Sequence, residues 1–343
     1  MALAQRAYND LRLLGVCAVL ALYPLLDLCL PTALQIIPLM PPVLIFALVG
    51  LGLCVATGFT GLLHLGVAAF IAIGAYTFAI TTCSIYPFQL PWIGGVILAG
   101  AIGSATGALL ALPTMRLRGD YLAIVTLGFG EIVQDILRNL EVITKGTQGI
   151  NPLRGPSIAG FQISSVTPTG WYYVILAILA VISLLLQRVV NSPIGRAWFA
   201  LRDDELAASC MGVNPARTKL ATFAISAGLC AIAGALLASF LGSSGEPSNY
   251  DFQVSIMALS MVIVGGLGSI PGAILGAVIM VGINSIVLAK IADGLSNVAA
   301  GSSNVLLSPA NWKYMIFGLT LVLMMRFKSE GLMPPRQTGV KKP

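Results

Sequence analysis

Charge is scarce in this sequence. Asp, Glu, Lys and Arg make up 9% of its 343 residues, against about 25% in an ordinary soluble domain. Hydrophobic residues reach 57% and the mean hydropathy is +0.92, a balance that excludes a water-exposed globular surface. Histidine is nearly absent: His64 stands alone, so a multi-histidine metal site is excluded. The six cysteines (Cys17, Cys29, Cys54, Cys83, Cys210, Cys230) include no CxxC pair and lie mostly in apolar runs, where they read as small buried hydrophobes. The net charge of +6 is dispersed and forms no dense basic patch, so nucleic acid is not an expected partner. GxxxxGK[ST], HExxH and GxSxG are all missing, which leaves the chain without a phosphate-cradling loop or a recognisable hydrolytic centre of its own. No catalytic site, no resident cofactor and no metal are therefore expected.

What the chain does have is long apolar runs. A membrane span needs roughly 20 such residues, and about ten candidates occur: 11–30, 39–57, 61–82, 90–112, 121–140, 171–188, 221–241, 252–267, 270–289 and 312–325. The first follows Arg12 but lacks a small-residue cleavage site after it, so it reads as a span. Between Arg12 and Arg116 no Lys or Arg occurs. With the N-terminus inside, fourteen of the nineteen basic residues fall on the inner side; Lys145, Arg154, Lys290 and Lys313 fall outside, and Arg138 lies within a span. The expected fold class is all-α: a polytopic membrane protein with both termini cytoplasmic. The single domain divides into spans over 11–140, an outer loop 141–170, a sixth span 171–190, an inner loop 191–219, further spans over 220–326 and a tail 327–343. The outer loops 141–170 and 291–311 are long enough to receive an external partner, or serve as plain connectors.

The inner loop SPIGRAWFALRDDELAASCMGVNPARTK (192–219) is the most highly charged stretch. Ser192 caps a first short helix with Pro193 in its opening turn, and Ile194, Ala197 and Leu201 share a face. A second helix is expected from Asp203, with Asp204 and Glu205 at its positive end, ending at Gly212. The unit reads either as a solvated loop or as a compact knob built for another protein to grip.

Three further features stand out. Gly268, Gly272 and Gly276, and likewise Gly103 and Gly107, have the spacing that lets membrane helices pack closely. Gly- and Ala-rich stretches at 61–76 and 265–278 form a weak match to an inverted internal repeat of the kind transporters use. Glu131, Asp135 and Arg138 share one helical face; Asp135 and Arg138 can neutralise each other. That leaves Glu131 facing a water-filled cavity, or the helix end simply emerging among headgroups. His64 reads as a hydrogen-bonded packing residue or as a solute contact.

The segments RLRGDYLAIVTLGFGEIVQDILRN (116–139), PIGRAWFALRDDELAASCMGVNP (193–215) and VIVGGLGSIPGAILGA (262–277) resemble signatures of the LivM-type permeases of branched-chain amino acid ABC importers. The resemblance runs from about residue 57 to 335. It implies that the knob between the sixth and seventh spans is the coupling element held by an ATPase subunit, a role that falls on Arg196, Ala197, Arg202, Asp203, Glu205 and Gly212. It also implies a homologous permease partner, two cytoplasmic ATPases that bind the ATP, a periplasmic binding protein and a place in the bacterial inner membrane. The expected solute is a branched-chain or other neutral amino acid, with urea or short amides as an alternative. An ion-coupled secondary transporter is the rival class. The chain departs from the family at His64-Leu65-Gly66-Val67, where Asn or Asp often precedes the Leu-Gly pair.

Overall fold

The computed structural model describes residues 37–87, 89–115, 117, 119–153, 155–158, 161–162, 168–283, 285, 309–328 and 331–333. The expected first span 11–30, residues 291–308 of the expected outer loop 291–311, Arg116, Arg118 and the end of the tail lie outside these residues. The described part is helical apart from one two-residue antiparallel ladder, β1 (Ser157–Ile158) with β2 (Phe161–Gln162).

A 3-10 turn leads into α1 (Met40–Leu53), which passes without a break into a π-helix over Cys54–Phe59. Together they form an apolar rod of 23 residues, Ile37–Phe59. Three more helices are long and apolar enough to cross a membrane: α3 (Trp92–Thr114), α6 (Pro168–Val190) and α9 (Pro215–Leu241). These four coincide with expected spans. The helix expected over 121–140 is also present as α4 (Asp120–Asn139), but Asp120, Glu131, Asp135 and Arg138 make it amphipathic. The one-turn α5 (Glu141–Thr144) follows it.

Two apolar stretches that read as full spans are shorter than a bilayer core, α2 (Val67–Thr82) and α10 (Phe252–Gly265), while α11 (Ile270–Gly282) fills the described start of a third, the expected span 270–289. At about 1.5 Å per residue neither α2 nor α10 exceeds roughly 24 Å. Irregular backbone stands over 61–66, before α2, and over 266–269, between α10 and α11. Such backbone is tolerated at membrane depth only when protein surrounds it or when it lines water. The chain described ends with α12 (Pro309–Phe327). After it, the amides of Leu332 and Met333 donate to the carbonyls of Val264 and Gly265, at 3.0 and 2.9 Å.

The core forms where α9 meets α1, α2 and α3. Glycine makes these seams narrow. A Cβ on Gly74 would overlap the carbonyl of Ala231, and one on Gly234 would overlap the carbonyl of Ile71, so α2 and α9 lie backbone against backbone in a reciprocal pair. Gly103 and Gly107 of α3 instead receive the methyl groups of Ala231 and Ala227. Between α10 and α11 the reciprocal pair is Gly265 and Gly272, and Gly276 sits on the carbonyl of Met261. Gly268 differs from its expected place in that stripe: it lies in the turn before α11 with φ 86°, against Gly58.

Candidate functional site

The chain has two working ends, separated by the roughly 40 Å length of α9 and joined by the amphipathic α4.

At one end stands the knob. It comprises α7 (Pro193–Asp203) and α8 (Glu205–Cys210). Ser192 caps α7 by accepting from the amide of Ile194 at 3.2 Å. The cap of α8 is Asp204, not Asp203: its Oδ1 accepts from the amides of Leu206 and Ala207 at 2.8 and 3.1 Å. Asp204 is extended (φ −158°) and breaks the two helices apart, one residue later than the sequence suggested. Gly212, at φ 86°, closes α8, and the amide of Val213 returns to the carbonyl of Ala208. Asn214 then caps α9.

The knob is anchored on the bundle by its inner side. Gly195, Trp198 and Leu201 are the buried positions of α7, so the apolar face is turned from the expected one and Ile194 points outward. Trp198 stacks on Phe59 at 6.1 Å, and Phe199 meets the same ring edge-on. Lys219, only 4% exposed, donates to Glu205 at 2.9 Å and to the carbonyl of Met115 at 3.4 Å. Arg202 reaches inward to the carbonyl of Gly58 at 2.6 Å. Two of the residues assigned to coupling, Arg202 and Glu205, therefore hold the knob from behind. Arg202 is nonetheless exposed over the rest of its side chain, as are Arg196, Asp203 and Gly212, while Ala197 and Glu205 are half-buried. The outward surface carries three apolar side chains: Ile194, and two that the sequence reading did not single out, Leu206 (68% exposed) and Met211 (84% exposed).

Between the ends, α4 carries an exposed stripe through Tyr121, Ile124, Glu131, Ile132, Asp135 and Arg138. Asp135 and Arg138 approach to 4.0 Å, a weak pair at this exposure. At Gly128 a Cβ would meet nothing, so the stripe is open there. The other face of α4 supports the start of α2. Thr126 Oγ1 accepts from the amide of Leu65 at 3.0 Å, His64 Nδ1 from Gly66 at 3.3 Å, and Ser255 of α10 from Ala68 at 3.1 Å. Side chains from three segments thus replace the cap that α2 lacks. His64 is fully buried between Phe70 and Phe223 and does not reach the exposed stripe; its Nε2 has no partner among the described residues.

The far end is a laced platform. Segment 146–153 runs beside 242–250: the amide of Ser244 donates to Ile150 O at 3.0 Å, and that of Leu153 to Gly242 O at 2.9 Å. Ser244 Oγ accepts from the amide of Ile150. Tyr76 and Tyr250 donate their hydroxyls to the carbonyls of Gly245 and Ser244. Gln134 and Arg138 of α4 reach Pro247 and Ser248. The loop 242–251, absent from the sequence expectations, is what organises the first half of the expected outer loop.

Comparison with known proteins places this architecture. Residues 36–325 match the model of the branched-chain amino acid transport system permease component. The chain belongs to that permease family. It is 37% identical over 320 residues to the high-affinity branched-chain amino acid transport system permease protein LivM of Salmonella typhimurium, covering 87% of this chain and 70% of the relative. LivM of Escherichia coli is 36% identical with the same coverage. The permease LivH of Salmonella typhimurium is 26% identical over 253 residues, covering 68% of this chain and 79% of the relative. No solved structure matches. This member of the permease family is a multi-pass membrane protein, and its relatives are permease proteins of transport systems.

Proposed function

We propose that the chain is one of two paired permease subunits of an ATP-driven importer for branched-chain or other neutral amino acids in a bacterial inner membrane. Its relatives do not favour an ion-coupled secondary transporter or a carrier of urea and short amides. The reading assigns about ten crossings, both termini to the cytoplasm, and the knob to the inner side. A homologous permease completes the pathway, a periplasmic binding protein docks on the platform, and two cytoplasmic ATPases grip the knob and bind the ATP. The permease itself needs no cofactor.

The observation that carries this reading is the knob: a doubly capped unit, fastened from behind by a buried lysine, that presents Ile194, Leu206 and Met211 to solvent. Exposed apolar side chains on a rigid, otherwise charged unit suit a protein groove. Arg196, Ala197, Asp203 and Gly212 surround them, while Arg202 and Glu205 serve the same coupling from the inner side. Met211→Glu is expected to strip the ATPases from the complex during copurification in mild detergent while the melting temperature of the permease stays unchanged. Failure of the wild-type chain to retain any ATPase would sink the importer reading. Orientation has its own check: a cysteine introduced by Ala207→Cys should resist an impermeant thiol reagent in intact cells and react in inverted vesicles.

The stripe on α4 is the proposed solute-facing wall, since charged side chains on an exposed helix face do not suit lipid. With few charges available, helix ends complement the carboxylate and ammonium of a zwitterion. Because a Cβ at Gly128 meets no neighbour within 4 Å, Gly128→Phe should insert and melt as wild type yet block uptake. Normal uptake by that variant would remove α4 from the pathway.

A further inference from the structure

Arg202 lies at a junction that the knob's docking surface does not explain. The π-helix over Cys54–Phe59 ends α1 beneath the knob, and its last carbonyls have no partners from regular helix bonding. Ala56 O is met by the amide of Leu62 at 3.0 Å and by the hydroxyl of Thr60 at 2.6 Å. Gly58 O is met by Arg202 Nη1 at 2.6 Å, a cation at the negative end of a helix. The room for this side chain is made by glycines from two distant parts of the sequence. A Cβ on Gly61 would come within 3.2 Å of Arg202 Cγ, and one on Gly268 within 3.0 Å of Nη1. Gly58 and Gly268 themselves touch: a Cβ on Gly58 would lie 2.6 Å from the amide nitrogen of Gly268. Gly61 and Gly268 have φ of 69° and 86°. Each belongs to an irregular turn that precedes one of the helices α2 and α11. The guanidinium from the knob therefore reaches the place where both interrupted segments meet.

We infer that Arg202 is a positioning residue that passes displacement of the knob to the end of α1 and to the turns leading into α2 and α11. The inference rests on the knob being the ATPase-driven element. A π-helix is a site where one extra residue per turn is held under local constraint, and such segments gather at functional positions. Moving α7 pulls on Gly58 through a short charge-assisted bond, while the Phe59–Trp198 stack keeps the two elements in register. The turns at 61–66 and 266–269 absorb the change, because glycines at positive φ rotate at little steric cost. The seams between α2 and α9 and between α10 and α11 then carry it as rigid bodies.

The test uses the complete reconstituted importer with leucine-loaded binding protein. Arg202→Gln is expected to retain the ATPase subunits and their nucleotide hydrolysis, while leucine taken up per ATP falls at least about tenfold, the scale of one lost charge-assisted hydrogen bond. Arg202→Lys should recover part of that coupling, because an ammonium can still donate to Gly58 O. In wild type, binding of a non-hydrolysable ATP analogue should change hydrogen exchange at the amides of 58–62 and 266–269; in Arg202→Gln the change should stop within 193–212. Unchanged uptake per ATP in Arg202→Gln overturns the inference. Loss of the ATPases from that variant also overturns it, since Arg202 would then belong to the docking surface. Should Arg202→Gln not fold, Arg202→Lys decides: uptake per ATP below wild type supports the inference and a wild-type ratio overturns it. A wild-type complex that holds no ATPase defeats the importer reading instead.

Discussion

Glu205→Lys is expected to abolish transport while leaving membrane insertion intact. The carboxylate of Glu205 lies 2.9 Å from the ammonium of Lys219, with side-chain exposures of 24% and 4%. Removing one partner of a pair buried to this degree costs about 3–5 kcal/mol, because the remaining charge is left without compensation. A second lysine in its place adds like-charge repulsion. The energy is concentrated where it matters mechanically: Lys219 sits in the second turn of α9 and also donates to Met115 at the end of α3, so the pair ties α8 to two membrane helices. The apolar runs that direct insertion are untouched. Uptake assays with quantified membrane abundance test this, and the charge-swapped pair Glu205→Lys with Lys219→Glu should restore a measurable part of the activity. Unimpaired uptake by Glu205→Lys alone would remove the knob from the mechanism.

The second large effect is at Gly74. A valine there would drive its Cβ into the carbonyl of Ala231, and the helix behind that carbonyl cannot yield because Gly234 is already pressed on Ile71. Overpacking in a core that can relax costs about 1–3 kcal/mol; this contact is backbone against backbone on both sides, so Gly74→Val should exceed about 4 kcal/mol. We expect aggregation on size exclusion in detergent, or a melting transition lost altogether. Gly318→Ala is the matched comparison: a Cβ at Gly318 meets nothing within 4 Å, and the exchange should be neutral or slightly stabilising through helix propensity. Equal melting of Gly74→Val and wild type would refute the seam as the source of stability.

Much of this was readable beforehand where the signal is local. Ser192, Pro193 and Gly212 mark the limits of the knob by chemistry that acts over two or three residues, and the structure places each as expected. Adjacent acids defeat the same logic: Asp203 and Asp204 are equally good caps, and only the extended backbone at Asp204 decides between them. Periodicity identified a helix in 193–203 but not which way it turns. The stack of Trp198 on Phe59, supplied by a residue far away in sequence, rotates Ile194 outward. The short helices were hidden for a related reason. The irregular segment 61–66 carries three leucines, so hydropathy continues smoothly across the break at Gly61 and His64. The loop 242–251 escaped notice because its bonds to 146–153 pair backbone atoms, which carry no sequence signature. Gly74 and Gly234 lie far apart in the chain; Gly74 has phenylalanines four positions to either side, and Gly234 is one small residue among many in an alanine-rich helix.

The close glycine seams also bear on how such subunits diverge. When two helices touch through their main chains, the shape of the frame depends on a handful of hydrogen atoms standing where side chains would be. The bulky residues on the outer faces, such as Ile93, Ile97 and Leu109 on α3 or Val181 and Leu185 on α6, lie exposed, outside the packing of this chain. Exchange among leucine, isoleucine and valine there is geometrically silent. A relative such as LivH, at 26% identity, has ample freedom to drift in such positions and still build a frame of the same girth, provided that its glycines stay in place.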